Sequence, residues 1–456
     1  TTFEQVLQLQ PKTSVALFNA ADVALQLGKY EKTIEYAGRI LEADPENVNA
    51  QYLLAQAYML QGEQGKAVAE LEGIANAKIP FEPALLDLGF AYLRQDDAES
   101  AKATFDKALS ANDKQPAAML GAAIASQYAG TDAEALEYCQ RAMTAQPENP
   151  MAAFVLGNVY VAQKDYEKAK EAFAKAGDFY NELSFDAAAI PTYYGDDPTA
   201  SARAINVAHS LLARGWTADA IKMLTDITLA KAAREGVIVR YDLARAYAQQ
   251  GKFDEAIGEL EAIIAAQPTR ISLYKTIGTL YQNKQAPQKA VEAFKKYAEA
   301  NPTDDSGKVQ LALAYESANM TNEAIAEYTA LLQKMPDSAL TKNQLAWLYA
   351  EKGENLDEAA KLAEEAAQSQ PVAGIIDTAG WVYYKRGEYD KAVEKFTKAV
   401  ELSPFQPTIR YHLGLAYAKA GEKDLALQEL NRAFEISADF KEAAEAKALL
   451  DELSKP

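Results

Sequence analysis

The sequence predicts an all-α protein built from about twelve consecutive helix–turn–helix repeats, and three recurring features support this fold class. The first is a small residue at a fixed place in each repeat, which recurs every 34 residues at Ala67, Ala101, Ala135 and Ala169. The second is the continuation of this series at steps of 33 to 35 residues, at Ala256, Ala290, Ala324, Ala359, Ala392 and Ala426. The third is a proline that closes the repeat, at Pro268, Pro302, Pro336, Pro371 and Pro404. Self-similarity at such a period is typical of repeat architectures.

Each repeat is predicted to form two amphipathic helices, and the segment 373–406 shows why. Apolar residues recur three and four apart on both sides of Gly387, so each half presents one apolar helical face. Gly387 permits the tight turn between the helices, and Pro404 ends the second helix. Gly380 lets the two helices approach closely, while Phe396 fills the space beside it. One pair cannot bury both of its faces, so neighbouring pairs must stack to complete the core.

The order of the recurring residues resembles the tetratricopeptide repeat. The pattern appears as Leu156-Gly157, Tyr160, Tyr166, Ala169, Phe173 and Ala176, and again as Leu243-Ala244, Tyr247, Gly251, Phe253, Ala256, Leu260 and Pro268. We count repeats beginning near residues 14, 48, 82, 116, 150, 201, 237, 271, 305, 339, 373 and 407. The resemblance implies a right-handed superhelical solenoid whose first helices line a concave groove that binds other proteins.

The predicted organisation has five segments: the second helix of a truncated or half repeat at 1–13, five repeats at 14–177, an irregular insertion at 178–200, seven repeats at 201–438, and a capping helix at 439–456. The aromatic residues of the insertion leave two interpretations open, a loop that docks on a partner and a helix plus loop that covers a kink between two stacks. A solenoid needs a cap with a polar outer face. The last segment suits this role, because one helical face carries Phe440, Ala443, Ala446, Leu450 and Leu453.

The charge balance narrows the classes of partner. Lys and Arg number 46 against 65 for Asp and Glu, which gives a formal charge of −19. A surface this acidic repels phosphate backbones and anionic lipid, so we expect no nucleic-acid partner. No stretch approaches the roughly 20 apolar residues of a membrane-spanning helix. The single cysteine, Cys139, excludes an intrachain disulfide and fits either a reducing cytoplasm or a bacterial periplasm.

The sequence offers no pattern for catalysis. The two histidines, His209 and His412, lie in different repeats, and each is expected to pack in the core or to face the groove. Cys139 falls where other repeats carry Phe105 and Phe173, so we expect a small core residue there. No phosphate-binding, nucleophile-elbow or metal-binding motif occurs. We therefore expect no catalytic residue, no metal site, no cofactor and no enzymatic activity.

The family geometry places eleven residues toward the groove: Phe18, Tyr52, Phe90, Asn158, Tyr241, Arg245, Lys275, Trp347, Trp381, Tyr384 and Tyr411. Aromatic residues and arginine dominate binding energy at interfaces. The predicted hot spot spans three adjacent repeats and consists of Trp347, Trp381, Tyr384 and Tyr411. For the tryptophans the alternative is equally open, namely that the rings pack between neighbouring first helices. Only Lys275 and Asn158 suit the positions at which some family members grip a C-terminal carboxylate, so an adaptor for chaperone tails is not favoured.

The last quarter of the chain is similar to bacterial repeat proteins of exopolysaccharide export and cell-surface sorting, on the residues Leu345-Ala346-Trp347, Asp377-Thr378-Ala379-Gly380-Trp381 and Arg410-Tyr411-His412-Leu413-Gly414-Leu415-Ala416-Tyr417. That resemblance implies a periplasmic or envelope-associated setting, with the cytoplasm as the alternative. The expected function is a scaffold that organises a multiprotein complex. The alternatives are a regulatory or targeting region of a larger enzyme, such as a glycosyltransferase, and a polysaccharide-binding export factor.

Overall fold

A computed structural model of the protein describes residues 13–77, 81–176, 194, 197–225 and 237–455. These residues contain 25 α-helices and no strand, which confirms the all-α prediction. The predicted half repeat at 1–13 lies outside the described residues except for Thr13, and so does most of the 178–200 insertion. The chain divides into two compact units, Thr1–Arg270 (unit 1) and Ile271–Pro456 (unit 2).

Unit 1 contains the described helices α1 Ser14–Gln26, α2 Tyr30–Ala43, α3 Val48–Gln61, α4 Gln64–Ala75, α5 Glu82–Arg94, α6 Ala98–Ala111, α7 Pro116–Tyr128, α8 Asp132–Ala145, α9 Pro150–Ala162, α10 Tyr166–Phe173, α11 Pro198–Ala213, α12 Thr217–Thr225, α13 Val237–Gln249 and α14 Phe253–Ala266. Unit 2 contains α15 Leu273–Asn283, α16 Pro287–Ala300, α17 Asp305–Ser317, α18 Thr321–Lys334, α19 Ala339–Lys352, α20 Leu356–Ser369, α21 Ala373–Lys385, α22 Tyr389–Leu402, α23 Pro407–Ala420, α24 Lys423–Ile436 and α25 Ala443–Leu453. In both units an odd-numbered helix packs against the even-numbered helix that follows it, and α25 stands alone as the last helix.

The turn inside each pair needs one residue in the left-handed region. After α3 this residue is Gly62, at φ 81°, and its N–H bonds back to the carbonyls of the last helical turn. After α5 and after α19 the positive φ falls on Asp96 and Asn355, two residue types that tolerate this conformation better than most. The short turns hold the two helices of each pair side by side.

A glycine on the first helix and an aromatic ring on the second set how closely the helices of a pair approach. The residues are 16 apart in Gly157 and Phe173, in Gly278 and Phe294, and in Gly380 and Phe396. A Cβ atom at these glycines would lie 2.4, 2.8 and 2.7 Å from the nearest ring atom, which is too close for any other residue without a shift. The contact between Gly380 and Phe396 that the sequence predicts is therefore present.

The division between the units does not fall at the 178–200 insertion, where the sequence predicted a break between two arrays. Helix α11, which follows the insertion, packs on α9, α7 and α5, which all precede it. The helices on both sides of the insertion thus share one core, and unit 1 extends to Arg270.

The C-terminal helix α25 covers the end of unit 2, as the sequence predicts. Ala446 on α25 is buried beside Leu430, with Phe440 and Leu450 packed against the same cluster. The opposite face carries charged residues such as Lys447 and Asp451, which form an exposed ion pair.

Candidate functional site

In unit 1 the surface formed by the first helices is filled by the chain itself. Helix α11 lies against α5, α7 and α9, and its Val207 and Leu211 are buried in the same apolar cluster as those helices. The turn after α11 adds Trp216, which is 6% exposed. We call α11, this turn and α12 the inner hairpin (197–225). Its packing leaves the facing side chains of α5, α7 and α9 in contact with protein rather than with solvent.

A closed network of hydrogen bonds joins the inner hairpin to α7 and α9. The Asn158 Nδ2 donates to Asn206 Oδ1 over 2.7 Å, and the Asn206 Nδ2 donates to Gln127 Oε1 over 2.7 Å. Gln127 Nε2 in turn donates to the Asn158 carbonyl, and the Tyr194 hydroxyl donates to Asn158 Oδ1. All four side chains are fully buried, so each amide needs these partners. The network sets the position of α11 along α7 and α9.

Two ion pairs hold the other end of the hairpin. Arg214 donates to Asp87 on α5, whose second oxygen accepts the Tyr52 hydroxyl over 2.8 Å. Arg94 donates to Asp219 on α12 over 2.7 Å. Burial raises the pKa of the Asp87 carboxyl while the Arg214 charge opposes the shift, and burial lowers the pKa of the Arg214 guanidinium. Desolvation therefore works against both charges, which each depend on the partner for stability.

This arrangement corrects part of the predicted groove. Phe90 is 4% exposed beneath the Arg214 guanidinium, which lies 4.1 Å from the ring centroid. Asn158 is fully buried in the amide network, and the Tyr52 hydroxyl is bonded to Asp87. These three side chains contact the inner hairpin or its partners instead of an open groove. Phe18 on α1 is exposed, at 37%.

Two predicted groove residues, Tyr241 and Arg245, lie on α13 of unit 1. Both are half-buried. The Arg245 Nη1 is 3.3 Å from His209 Nδ1 and 3.4 Å from Asp242 Oδ1. His209 also packs on the Phe154 ring, with 4.6 Å between the ring centroids, so this histidine takes part in packing.

In unit 2 the structure brings three of the predicted residues together in a stack. The Trp347 and Trp381 rings have centroids 5.8 Å apart and planes 22° apart. The Tyr384 ring continues the stack, 5.2 Å from Trp381 at 14°. All three side chains are half-buried, because one face packs on the core of α19 and α21. We call Trp347, Trp381 and Tyr384 the aromatic row. Both interpretations of the tryptophans thus hold in part, since the rings pack between first helices and keep an accessible edge.

Polar groups fix the orientation of the aromatic row. The Trp381 Nε1 donates to Glu351 Oε1 over 2.7 Å. The same carboxylate pairs with the Lys385 ammonium, which lies 4.9 Å from the Trp381 ring centroid. Beneath the row, buried His412 packs on Trp381 and bonds through Nδ1 to Asp377 at 2.9 Å. The row is therefore a preorganised surface, with one cation already on its central ring.

Two other predicted residues of unit 2 lie apart from the aromatic row. Tyr411 is buried against the cluster that α25 covers, and burial raises the pKa of its hydroxyl to about 12. It is therefore a core residue rather than part of the hot spot, because the capping helix closes over it. Lys275 on α15 is half-buried, and its Nζ donates to Ser306 over 2.8 Å.

The described residues contain no group of three or more His, Cys, Asp or Glu side chains placed to hold a metal ion. No helix in this part of the chain is long and apolar enough to cross a bilayer. Cys139 is buried in the core of unit 1, as predicted, and burial raises the pKa of its thiol to about 12.

Sequence models of one repeat family match both units. Models described as tetratricopeptide repeat match residues 2–83, 86–150, 129–184, 211–279, 271–304, 308–338 and 407–440, and one described as TPR repeat matches 380–421. Together they extend over most of the chain. The chain belongs to the tetratricopeptide-repeat family.

A curated tetratricopeptide-repeat relative is anaphase-promoting complex subunit 3 of Schizosaccharomyces pombe, which is 26% identical over 140 residues. The match covers 31% of this chain and 21% of that protein, so it spans about a fifth of the relative's length.

Three solved structures illustrate the low overall similarity to known folds. The Cut9–Hcn1 hetero-tetramer structure covers 100% of this chain and 99% of its own at 14% identity, with a TM-score of 0.40. Yeast Tom70 covers 96% and 95% at 15% identity, with a TM-score of 0.36. MamA from Desulfovibrio magneticus covers 36% and 94% at 18% identity, with a TM-score of 0.34. None of these similarities bears on function, because each TM-score lies below 0.5.

Sequence reasoning missed the contacts of the inner hairpin with the tetratricopeptide repeats before it. The signal lay in polar residues inside otherwise apolar first helices, namely Asp87 on α5 and Gln127 on α7. A buried polar side chain in such a helix needs a partner, and neither α5 nor α7 supplies one. Their partners, Arg214 and Asn206, are 127 and 79 residues away in sequence.

Proposed function

We propose that this protein is a non-catalytic scaffold that binds other proteins through the aromatic row of unit 2 and thereby organises a multiprotein complex. Membership of the tetratricopeptide-repeat family supports the general role in protein interaction. The observation that carries the specific proposal is the stack of Trp347, Trp381 and Tyr384 on neighbouring first helices. Large rigid rings bind with little loss of side-chain entropy, and they dominate interface energies.

The contrast with unit 1 supports unit 2 as the binding surface. The inner hairpin occupies the facing surface of α5, α7 and α9, so a peptide there would have to displace buried Leu211 and the Asn158 network. Around the aromatic row, by contrast, Glu351 and Lys385 remain partly exposed. A partner can reach this row without rearranging the core.

The chemistry around the row indicates the kind of partner segment. Lys385 lies over Trp381, and its ammonium is held by Glu351. A basic side chain of a partner could take the same place on the ring and the same carboxylate. The net charge of −19 also favours a basic partner. We therefore propose a protein segment that carries basic and apolar side chains.

The proposal extends to the setting of the protein at a bacterial cell envelope. Its support is the resemblance of the segments around Trp347, Trp381 and Tyr411 to repeat proteins of exopolysaccharide export. Fractionation of the native organism tests it. We expect the protein in the periplasmic or membrane-associated fraction, and recovery in the cytoplasmic fraction alone would contradict this part of the proposal.

Affinity capture with cross-linking mass spectrometry tests the binding surface. We expect a defined protein partner whose cross-links map to α19 and α21. The purified partner should then bind a Trp347→Ala/Trp381→Ala variant at least about tenfold more weakly, because the loss of two central aromatic anchors typically removes more than 1.4 kcal/mol of binding free energy. Circular dichroism confirms that the variant is folded.

Phe18→Ala is the matched control, since Phe18 is an exposed aromatic residue on a first helix of unit 1. This variant should bind like the wild type. Equal binding by the double tryptophan variant and the wild type would show that the row is not the partner surface. Binding of a glycan in place of a protein would instead favour the polysaccharide role.

A further inference from the structure

A cavity of about 450 Å³ lies between the inner hairpin and the helices that it packs against. Gln64, Arg94 and Tyr128 line it from α4, α5 and α7, while Arg203 and Lys222 line it from α11 and α12. Lys222 is exposed, so the cavity reaches solvent. Its position is separate from the aromatic row of unit 2.

Arg94 contributes donors to this cavity that no group of the protein accepts. Its side chain is only 5% exposed, and its Nη1 is paired with Asp219. Its Nε and Nη2 are buried and have no hydrogen-bond partner. These two atoms form one edge of the guanidinium, which suits the two oxygens of a carboxylate or phosphate. The Trp216 ring lies 5.7 Å from the guanidinium and supports its orientation.

The other cations around the cavity also have spare donors. The Nε of Arg203 is buried without a hydrogen-bond partner, and its Nη2 lies 3.6 Å from Asp132. Lys222 adds a third positive charge from the last turn of α12.

The carboxylates around the cavity are already engaged. Asp219 accepts from Gln64 at 2.6 Å and from Arg94 at 2.7 Å. Asp96 accepts the Tyr128 hydroxyl at 2.7 Å. The cavity therefore has an excess of unsatisfied cationic donors, although the protein as a whole carries a formal charge of −19.

We propose that this cavity binds a small molecule with an oxyanion group, either a carboxylate or a phosphate, between Arg94, Arg203 and Lys222. Buried charged groups require partners, and an oxyanion supplies acceptors for the free edge of Arg94. The ligand would join α5 to both helices of the inner hairpin. Binding would therefore stabilise the seating of the hairpin in unit 1. The proposal is independent of the partner surface in unit 2, and either can fail alone.

Calorimetric titration and thermal unfolding of the full chain test the proposal with four probes: inorganic phosphate, glucose 6-phosphate, citrate and L-glutamate. Sodium chloride at matched ionic strength controls for screening. We expect at least one probe to raise the midpoint of unfolding above its chloride control, since a ligand of the native state alone stabilises that state. Binding by phosphates only or by carboxylates only would identify the natural class of oxyanion.

Variants then locate the site. Lys222→Met/Arg203→Gln leaves the buried pair of Arg94 and Asp219 intact, and it should weaken binding of the active probe at least tenfold. Lys252→Met removes an exposed lysine of unit 1 outside the cavity and should bind like the wild type. The proposal is wrong if no probe exceeds its chloride control, or if the double variant binds as tightly as the wild type.

Discussion

The ion pair between Asp87 and Arg214 offers a direct test of whether the inner hairpin is seated as the structure shows. The two residues are 127 apart in sequence, so they interact only if the hairpin lies on α5. Asp87→Ala removes the carboxylate that accepts from both Arg214 and Tyr52. The replacement leaves a buried guanidinium without its counter-charge.

The magnitude of the loss follows from the burial of the pair. Removal of one partner from a buried ion pair costs about 3–5 kcal/mol. The side chains of Arg214 and Asp87 are 20% and 12% exposed, so partial solvation places the expected loss near the lower end, about 3 kcal/mol. Asp87→Leu/Arg214→Met replaces both charges by apolar groups of similar size. It should lie within about 1 kcal/mol of the wild type, since no charge is then left unpaired.

Urea unfolding followed by the fluorescence of Trp216 measures these effects in unit 1. A Trp347→Phe/Trp381→Phe background makes Trp216 the single tryptophan, because the chain contains three. The exposed Asp113→Ala is the matched control and should change the free energy of unfolding by less than about 0.5 kcal/mol. A loss below about 0.5 kcal/mol for Asp87→Ala would refute the seating of the hairpin. So would a double variant as unstable as the single one.

Three further predictions concern packing, the thiol and pH. Gly121→Ala should destabilise unit 1 by about 1–3 kcal/mol in urea unfolding, because its Cβ would lie 2.3 Å from a ring atom of buried Phe105. Gly258→Ala, with no atom within 4 Å, should stabilise it by about 0.5–1 kcal/mol, and equal effects of the two would contradict this packing. Cys139 should react with a thiol reagent only after unfolding, since burial raises its pKa to about 12, and fast labelling of the native protein would oppose this. A tyrosine hydroxyl lowers the pKa of Asp304 from 3.8 to about 2, so the stability that ionised Asp304 contributes is present above pH 3.8 and is lost as the pH falls toward 2. Asp304→Asn should flatten this part of the pH profile of the unfolding midpoint, and an unchanged profile would refute the assignment.

The helices and their pairing follow from short-range features of the sequence. Apolar residues three and four apart select one face of a helix, and a glycine or an equivalent residue at the turn sets the end of the first helix. The glycine and the ring 16 residues later, as in Gly380 and Phe396, specify how closely the helices of a pair pack. All of these interactions span less than one repeat, so each repeat carries the information for its own local structure.

The candidate site was only partly predictable for the same reason. Trp347, Trp381 and Tyr384 lie on consecutive first helices, so a spacing close to one repeat was enough to place them together. Tyr411 occupies a comparable position in the next repeat, but the cluster beneath α25 buries it. Whether a first-helix residue faces solvent depends on what covers that helix, and the repeat pattern does not contain this information.

The sequence alone thus determined the all-α repeat fold, the helical pairs and the stacking of aromatic residues on neighbouring repeats. The tertiary structure alone decided that α11 returns to α5, α7 and α9, that unit 1 ends at Arg270, and that Asn158 is internal. The physical reason is the range of the interactions. A repeat motif records contacts within a pair and with its neighbour, whereas Asn206 with Gln127 and Arg214 with Asp87 are contacts between residues two or more repeats apart. Such contacts depend on the path of the whole stack, which no single repeat specifies.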